Sequence, residues 1–244
     1  MFEARLEAKT WKKIINAISA IVEEAPLQVT PEGIKFTAMD PSHISMIDFF
    51  LRKENFLEYR LDEKVTIGID VEEMKKIINR SKPADEMTME THGNKLSLTF
   101  QSREGEAVRK FSLSLIDIMG MESFKVPSLQ TTASIKLSAL AFDDGIKDAQ
   151  VVADHITFVA REGEFVMKAE GDSGGIESTV KELISIEVSS PAEATFNLSY
   201  LTDISRAIEE IVALHLGTNM PLKLEFTLDG SEMTFVLAPR VERE

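Results

Sequence analysis

The chain has 244 residues, a mass of 27.2 kDa and a formal net charge of −14, with a sequence pI of about 4.8. That length accommodates one large domain or two of roughly 100–120 residues, and 43% apolar with 28% charged residues excludes wholesale disorder. The absence of cysteine excludes disulfides, thiolate metal sites and a cysteine nucleophile.

The opening Met1-Phe2-Glu3-Ala4-Arg5 lacks the apolar core of a signal peptide. The most apolar stretch, residues 14–22, is too short to span a bilayer. A soluble, cytoplasmic protein with no membrane partner is expected. The excess of acid argues, on its face, against a nucleic-acid partner.

The first element is an amphipathic helix. Trp11, Ile14, Ile15, Ile18 and Ile21 form one apolar stripe, opposite Lys12, Lys13, Asn16 and Ser19. A strand follows at Gly33-Ile34-Lys35-Phe36-Thr37-Ala38. A second helix begins after Asp70, with Val71, Met74, Ile77 and Ile78 inward and Lys75, Lys76, Asn79 and Arg80 outward. Alternation at Leu96, Leu98, Phe100 and at Phe111, Leu113, Leu115 predicts two strands. Residues 119–130, with Gly120 and Pro127 and no clear period, read as a connector.

Beyond it, a third helix after Ser138 sets Ala139, Phe142, Ile146 and Ala149 against Asp143, Asp144, Lys147 and Asp148, with Gly145 an unfavourable helical residue. The run from His155 to Ala160 reads as the counterpart of the strand from Gly33 to Ala38. Further strands are expected at Ile184, Ile186, Val188, at Phe196, Leu198, and at Leu222, Leu224, Phe226, Leu228. A fourth helix places Leu201, Ile204, Ile208 and Ile211 inside, with Thr202, Ser205, Arg206 and Glu209 outside. Thr10, Asp70, Ser138 and Ser199 are the candidate N-caps. They recur at intervals of roughly 60–70 residues, the mark of a duplicated duplication. The expected fold is α+β, with two similar domains of antiparallel sheet carrying two helices each. The domains span residues 1–117 and 129–244, joined by a connector at 118–128.

No phosphate-binding glycine loop or dinucleotide fingerprint occurs. Asp172-Ser173-Gly174-Gly175 reads as a hairpin turn. His43, His92, His155 and His215 lack metal-ligand spacing, so neither a metal nor a cofactor is expected. Paired acids such as Glu72-Glu73 suit solvated helix starts better than acid/base catalysis. No catalytic residue is expected. An enzyme with a site in the connector loop would need a nucleophile or metal cluster that the sequence does not offer.

Four motifs carry a resemblance: Met1-Phe2-Glu3-Ala4-Arg5-Leu6, Met39-Asp40-Pro41-Ser42-His43-Ile44, Leu115-Ile116-Asp117 and Leu237-Ala238-Pro239-Arg240-Val241. Together, in order and over essentially the whole chain, they resemble the sliding clamps of the proliferating cell nuclear antigen family in its archaeal form. The resemblance implies the DNA clamp fold and a homotrimeric ring. Helices line a central hole through which double-stranded DNA threads without sequence preference. The family is non-catalytic, acts in replication and repair at the nucleoid, and confers processivity. It tethers DNA polymerase, flap endonuclease and DNA ligase through short peptide motifs, and is opened by the clamp loader, replication factor C. A subunit of a heteromeric or checkpoint-type clamp is the alternative within the same fold.

By matching family positions, Lys12, Lys13, Lys76, Arg80, Lys147 and Arg206 are the candidate DNA-facing residues, an ordinary solvated face being the competing reading. Asp143, Gly145, Ser199 and Ser19 depart from the family's more basic pattern and imply loose tracking on phosphates. The family's peptide has a glutamine, an aliphatic residue and paired aromatics. The groove positions implied for it are Met39, His43, Ile44, Phe124, Val126, Pro127, Pro221, Val236, Ala238 and Pro239, with backbone near Ala238 meeting the glutamine. Val236 departs from the aromatic of eukaryotic clamps. Ring closure in the family pairs edge strands of neighbouring subunits. Here that would set residues 108–115 against the segment from Gly175 to Lys181, with Asp144 and Asp148 opposite Arg80, Lys82 and Arg109.

Overall fold

The computed structural model describes residues 1–102, 107–118, 124–172 and 174–240. Part of the expected connector (119–123), Ser173 in the glycine-rich turn and Val241 lie outside the described residues. The first series of elements is β1 (Phe2–Glu7), α1 (Ala8–Ile18), β2 (Glu24–Thr30), β3 (Gly33–Met39), β4 (Ser45–Arg52), β5 (Glu58–Leu61), β6 (Val65–Asp70), α2 (Val71–Ile78), β7 (Asp85–His92), β8 (Lys95–Ser102) and β9 (Val108–Ser114). The second is β10 (Ala133–Ser138), α3 (Ala139–Gln150), β11 (His155–Arg161), β12 (Glu164–Gly171), β13 (Gly174–Val180), β14 (Leu183–Val188), β15 (Ala192–Asn197), α4 (Leu198–Ser205), β16 (Ile211–Leu216), β17 (Leu222–Leu228) and β18 (Ser231–Leu237).

Strand neighbours repeat between the two series. The order β5-β1-β7-β8-β9 recurs as β14-β10-β16-β17-β18, and β6-β2-β3-β4 recurs as β15-β11-β12-β13. This corrects one expectation. His155 to Ala160 lies in β11, the counterpart of β2, whereas Gly33 to Ala38 lies in β3, the counterpart of β12. Both runs alternate in the same way, so period alone could not separate adjacent strands of one hairpin. β12 and β13 pair antiparallel, as the hairpin expected at Asp172-Ser173-Gly174-Gly175 requires.

The chain divides into two compact units. One comprises Met1–Met39, Asp48–Lys125 and Leu228–Glu232, the other Asp40–Ile47, Val126–Thr227 and Met233–Glu244. In the first, the α1 stripe buries Trp11, Ile14, Ile15 and Ile18. Trp11 packs edge-on to Phe49, with ring centroids 6.4 Å apart, and Phe49 meets Phe36 at 5.6 Å. In the second, Phe158 is the centre, touching Phe142, Phe165 and Phe196 at 5.6–6.2 Å. Such offset and tilted ring pairs add to the burial itself.

Asp70 caps α2, accepting from the Glu73 amide at 2.8 Å, and Ser138 caps α3, accepting from Ala141 at 3.2 Å. The other two expected caps move. α1 begins after Glu7, whose side chain makes no cap bond, so Thr10 lies inside the helix. Asn197, not Ser199, caps α4, accepting from the Ser199 amide at 2.8 Å. α4 also stops at Ser205, so Ile211 belongs to β16 and is exposed, and Leu198 opens α4 instead of closing β15. Gly145 has a packing reason. A Cβ there would lie 2.2 Å from Met167 Sδ, so any larger residue requires the buried Met167 side chain to move.

Candidate nucleic-acid interface and partner groove

Because each helix buries one stripe, its cations necessarily collect on the opposite face. In the first unit that face carries Lys12 and Lys13 on α1, Lys76 on α2 and Arg80 just beyond it. Lys12 is half-buried and makes no side-chain hydrogen bond or ion pair among the described residues. Lys13 instead donates to Asp229 Oδ1 at 2.9 Å, while Thr10 donates to Asp229 Oδ2 at 3.2 Å. Asp229 and Gly230, with φ of 46° and 82°, form the positive-φ pair of a tight hairpin turn between β17 and β18. Lys13 therefore holds that turn on α1, and its charge is already matched. Lys76 pairs with Glu73 at 2.6 Å, which raises the lysine pKa. Arg80 is exposed, and its carbonyl accepts from Arg109 Nη1 at 2.6 Å.

The second unit's helix face is more acidic. Lys147 pairs with Asp143 at 2.5 Å, one helical turn earlier, and Ser205 Oγ donates to the same carboxylate at 2.9 Å. The bond from Lys147, helped by Ser205, holds the Asp143 carboxyl below its ordinary range despite some burial. Arg206 pairs with Asp203 at 2.8 Å. An open cleft of about 560 Å³ lies between α3 and α4, with Asp143, Lys147, Ser205 and Arg206 on its walls. Asp144 and Asp148 remain exposed on α3.

The expected groove residues fall on loops and strand ends. His43 (φ 57°) and Ile44 occupy the loop between β3 and β4, with Ile44 39% exposed. Val126, Pro127 and Pro221 are half-buried or exposed, as are Ala238 and Pro239 after β18. Val236 is buried inside β18, at 7% exposure, and offers an occupant little surface. Met39 ends β3, and Phe124 is half-buried. The Ala238 amide already donates to the Ile44 carbonyl at 2.8 Å. A glutamine docking there could therefore use Ala238 only as an acceptor. Arg240 explains the end of the Leu-Ala-Pro-Arg run: its amide bonds the Thr195 carbonyl at 2.7 Å and its guanidinium reaches His155 Nδ1 at 2.7 Å.

Among the strands that end sheets in the described residues are β9, beside β8, and β13, beside β12. Val108 on β9 is 65% exposed. Gly175 and Lys181 are exposed on and just after β13. Arg109, on β9, is engaged within the chain: its guanidinium pairs with the buried Asp85 and lies 5.6 Å from the Phe100 ring. Asp85 also accepts from the Lys82 amide at 2.8 Å. Arg109 thus braces the edge strand, and Arg80 and Lys82 lie near that pair, contributing backbone groups to it.

The sheet order, the doubled helix pairs and the four motifs coincide with one family. The model of the proliferating cell nuclear antigen N-terminal domain matches residues 1–123, and that of its C-terminal domain matches residues 125–241. The chain belongs to the proliferating cell nuclear antigen family. The DNA polymerase sliding clamp of Methanococcus vannielii is 38% identical, covering 99% of this chain and 100% of its own length. DNA polymerase sliding clamp 1 of Thermococcus kodakarensis is 38% identical over 96% of each chain. Among solved structures, PCNA from Thermococcus kodakaraensis superposes with a TM-score of 0.92 at 27% identity, covering 98% of this chain and 100% of that one. A. fulgidus PCNA bound to the C-terminal region of FEN-1 superposes with a TM-score of 0.91 at 26% identity over the full length of both.

Proposed function

We propose that this protein is a DNA sliding clamp: a non-catalytic homotrimeric ring that encircles duplex DNA and tethers DNA polymerase and other DNA-processing enzymes to it. The observation that carries this reading is the doubled fold, in which every quarter presents one helix with a polar outer face, joined to full-length similarity with archaeal clamps. The domains would be residues 1–117 and 129–244, with 118–128 connecting them. Lys12 and Arg80 would make the principal phosphate contacts, with Lys13, Lys76, Lys147 and Arg206 contributing once their acidic partners are displaced.

The ring would close by pairing β9 of one copy with β13 of the next, which would satisfy both open rows of backbone donors and acceptors. Arg80 and Lys82 would face Asp144 and Asp148 beside that seam. Such exposed pairs are worth about 0.2–1 kcal/mol each and weaken with salt. Reversal of both aspartates to lysine should then shift trimers toward monomers at low micromolar concentration.

The groove would rest on His43, Ile44, Val126, Pro127, Pro221, Ala238 and Pro239, with Val236 beneath them. Its occupant would be a partner peptide like the FEN-1 C-terminal region that the A. fulgidus protein binds. Polymerase, ligase and the clamp loader would share it. The test is light scattering followed by a processivity assay on primed circular DNA. A particle of three 27.2 kDa chains that lengthens polymerase products supports the reading. A monomer or dimer with no effect on product length rejects it.

A further inference from the structure

The run Met39-Asp40-Pro41-Ser42-His43-Ile44 contains a residue whose role the groove does not explain. Asp40 is 5% exposed, a rare state for a carboxylate unless its oxygens are fully bonded. Its Oδ1 accepts from the Ile44 amide at 2.7 Å and the Ser45 amide at 2.6 Å, and its Oδ2 accepts from the Ser42 amide at 3.1 Å. Asp40 therefore folds the loop around itself, holding His43 at positive φ and leaving Ile44 outward. The remaining donor is not local. Tyr200, on α4, donates its hydroxyl to Asp40 Oδ2 at 2.9 Å, across 160 residues of sequence. Burial, reinforced by Asp40, pushes the Tyr200 hydroxyl pKa up, so it remains a protonated donor at neutral pH.

We propose that Tyr200 is a positioning residue for partner docking: its hydroxyl fixes the Asp40 carboxylate, which in turn fixes the backbone that presents His43 and Ile44. This rests on the groove reading above. The three amide bonds set the shape of the loop, but all are local to it. Tyr200 is the contact that ties that side chain to a helix. Without it, the buried Asp40 Oδ2 loses a donor, and the carboxylate that the Ile44 and Ser45 amides share is held less firmly. The Ile44 carbonyl also receives the Ala238 amide, so displacement of the loop would reach the other wall of the groove.

The test uses the full chain, a synthetic peptide bearing a glutamine, an aliphatic residue and paired aromatics, and five variants. Tyr200→Phe should weaken peptide binding about three- to tenfold. It should also speed amide exchange at Ile44 and Ser45, while exchange at Phe158 in the core stays at the wild-type rate. Asp40→Asn should weaken binding at least as much, and adding Tyr200→Phe to it should cause little further loss, because both act through one contact. Wild-type affinity in Tyr200→Phe, with binding lost in Ile44→Ala, overturns the positioning role and leaves the groove standing. Wild-type affinity in Ile44→Ala and in Pro127→Ala overturns both. Fully additive losses in the double variant also reject the shared route.

Discussion

Helices α1 and α2 in the first unit and α3 and α4 in the second belong to the same repeated strand order, yet their solvent faces carry opposite balances of charge. α1 has three lysines and no acid, and α2 has two lysines against two glutamates. α3 sets three aspartates against one lysine, and α4 has one aspartate and no cation within the helix. Local pairing widens the contrast. Lys147 and Arg206 each face an aspartate one turn earlier, the spacing at which helical ions meet, whereas Lys12 has no such partner. A phosphate approaching the second pair must displace a carboxylate, and Asp144 and Asp148 add negative charge to the same helix. Duplication has thus preserved the apolar stripes and strand order, which set the fold, and left the outer faces free to diverge. On this account the attraction for DNA resides mainly in the first helix pair.

The strongest challenge to the comparison concerns packing, because α3 tolerates its close approach to β12 through glycine. Gly145→Val should lower stability by about 2–3 kcal/mol in denaturant unfolding, as expected for overpacking. Adding Met167→Ala should recover part of the loss. A Gly145→Val protein with wild-type stability would show that the close approach is not required.

Charge reversal probes the faces themselves. Lys12→Glu with Arg80→Glu should reduce clamp-dependent synthesis about tenfold at fixed salt, roughly 1.4 kcal/mol, because phosphate contact is electrostatic. Lys147→Glu with Arg206→Glu should reduce it by less than about twofold. Equal losses from the two pairs would erase the contrast.

Capping sharpens the comparison at lower energy. Asp70→Ala and Ser138→Ala should each cost about 1 kcal/mol of stability, and Glu7→Ala less than about 0.5 kcal/mol, since Glu7 accepts no helical amide. The sole tryptophan, Trp11, reports unfolding of the first unit. The smallest effect is acid sensitivity. Asp143 is held below its ordinary value, so its contribution is present above that value and is lost as pH falls through the lower, folded-state value. The melting temperature should therefore depend less on pH at the acid end in Lys147→Ala than in wild type. Identical acid limbs would show that the pair contributes nothing.

Much of the architecture was legible because burial imposes a period. The Trp11–Ile18 stripe, the alternation through Leu96, Leu98 and Phe100, and the recurrence of four helices all follow from facing a core. Boundaries were harder. Thr10 and Ser199 look like caps by residue type, but Glu7 and Asn197 occupy those positions, because strand pairing fixes where each helix begins. Ile211 continues the α4 stripe numerically yet belongs to β16. The candidate cations were found by family position. Their partners were not, although the four-residue spacing of Asp143 and Lys147 is a signal that could have found one of them. Contacts such as Lys13 with Asp229 and Tyr200 with Asp40 join residues far apart in the chain and leave no periodic trace. Asp40 was recognisable as part of a motif, but its four donors emerge only once the loop has folded.

The most direct test of the central claim, that this chain surrounds DNA and slides on it rather than gripping it, is topological. Clamp loaded by a clamp loader onto nicked circular DNA is isolated, and the circle is then cut once. The account predicts stable retention on the circle and prompt release after the cut. Retention on the linear product at the level seen on the circle would contradict it.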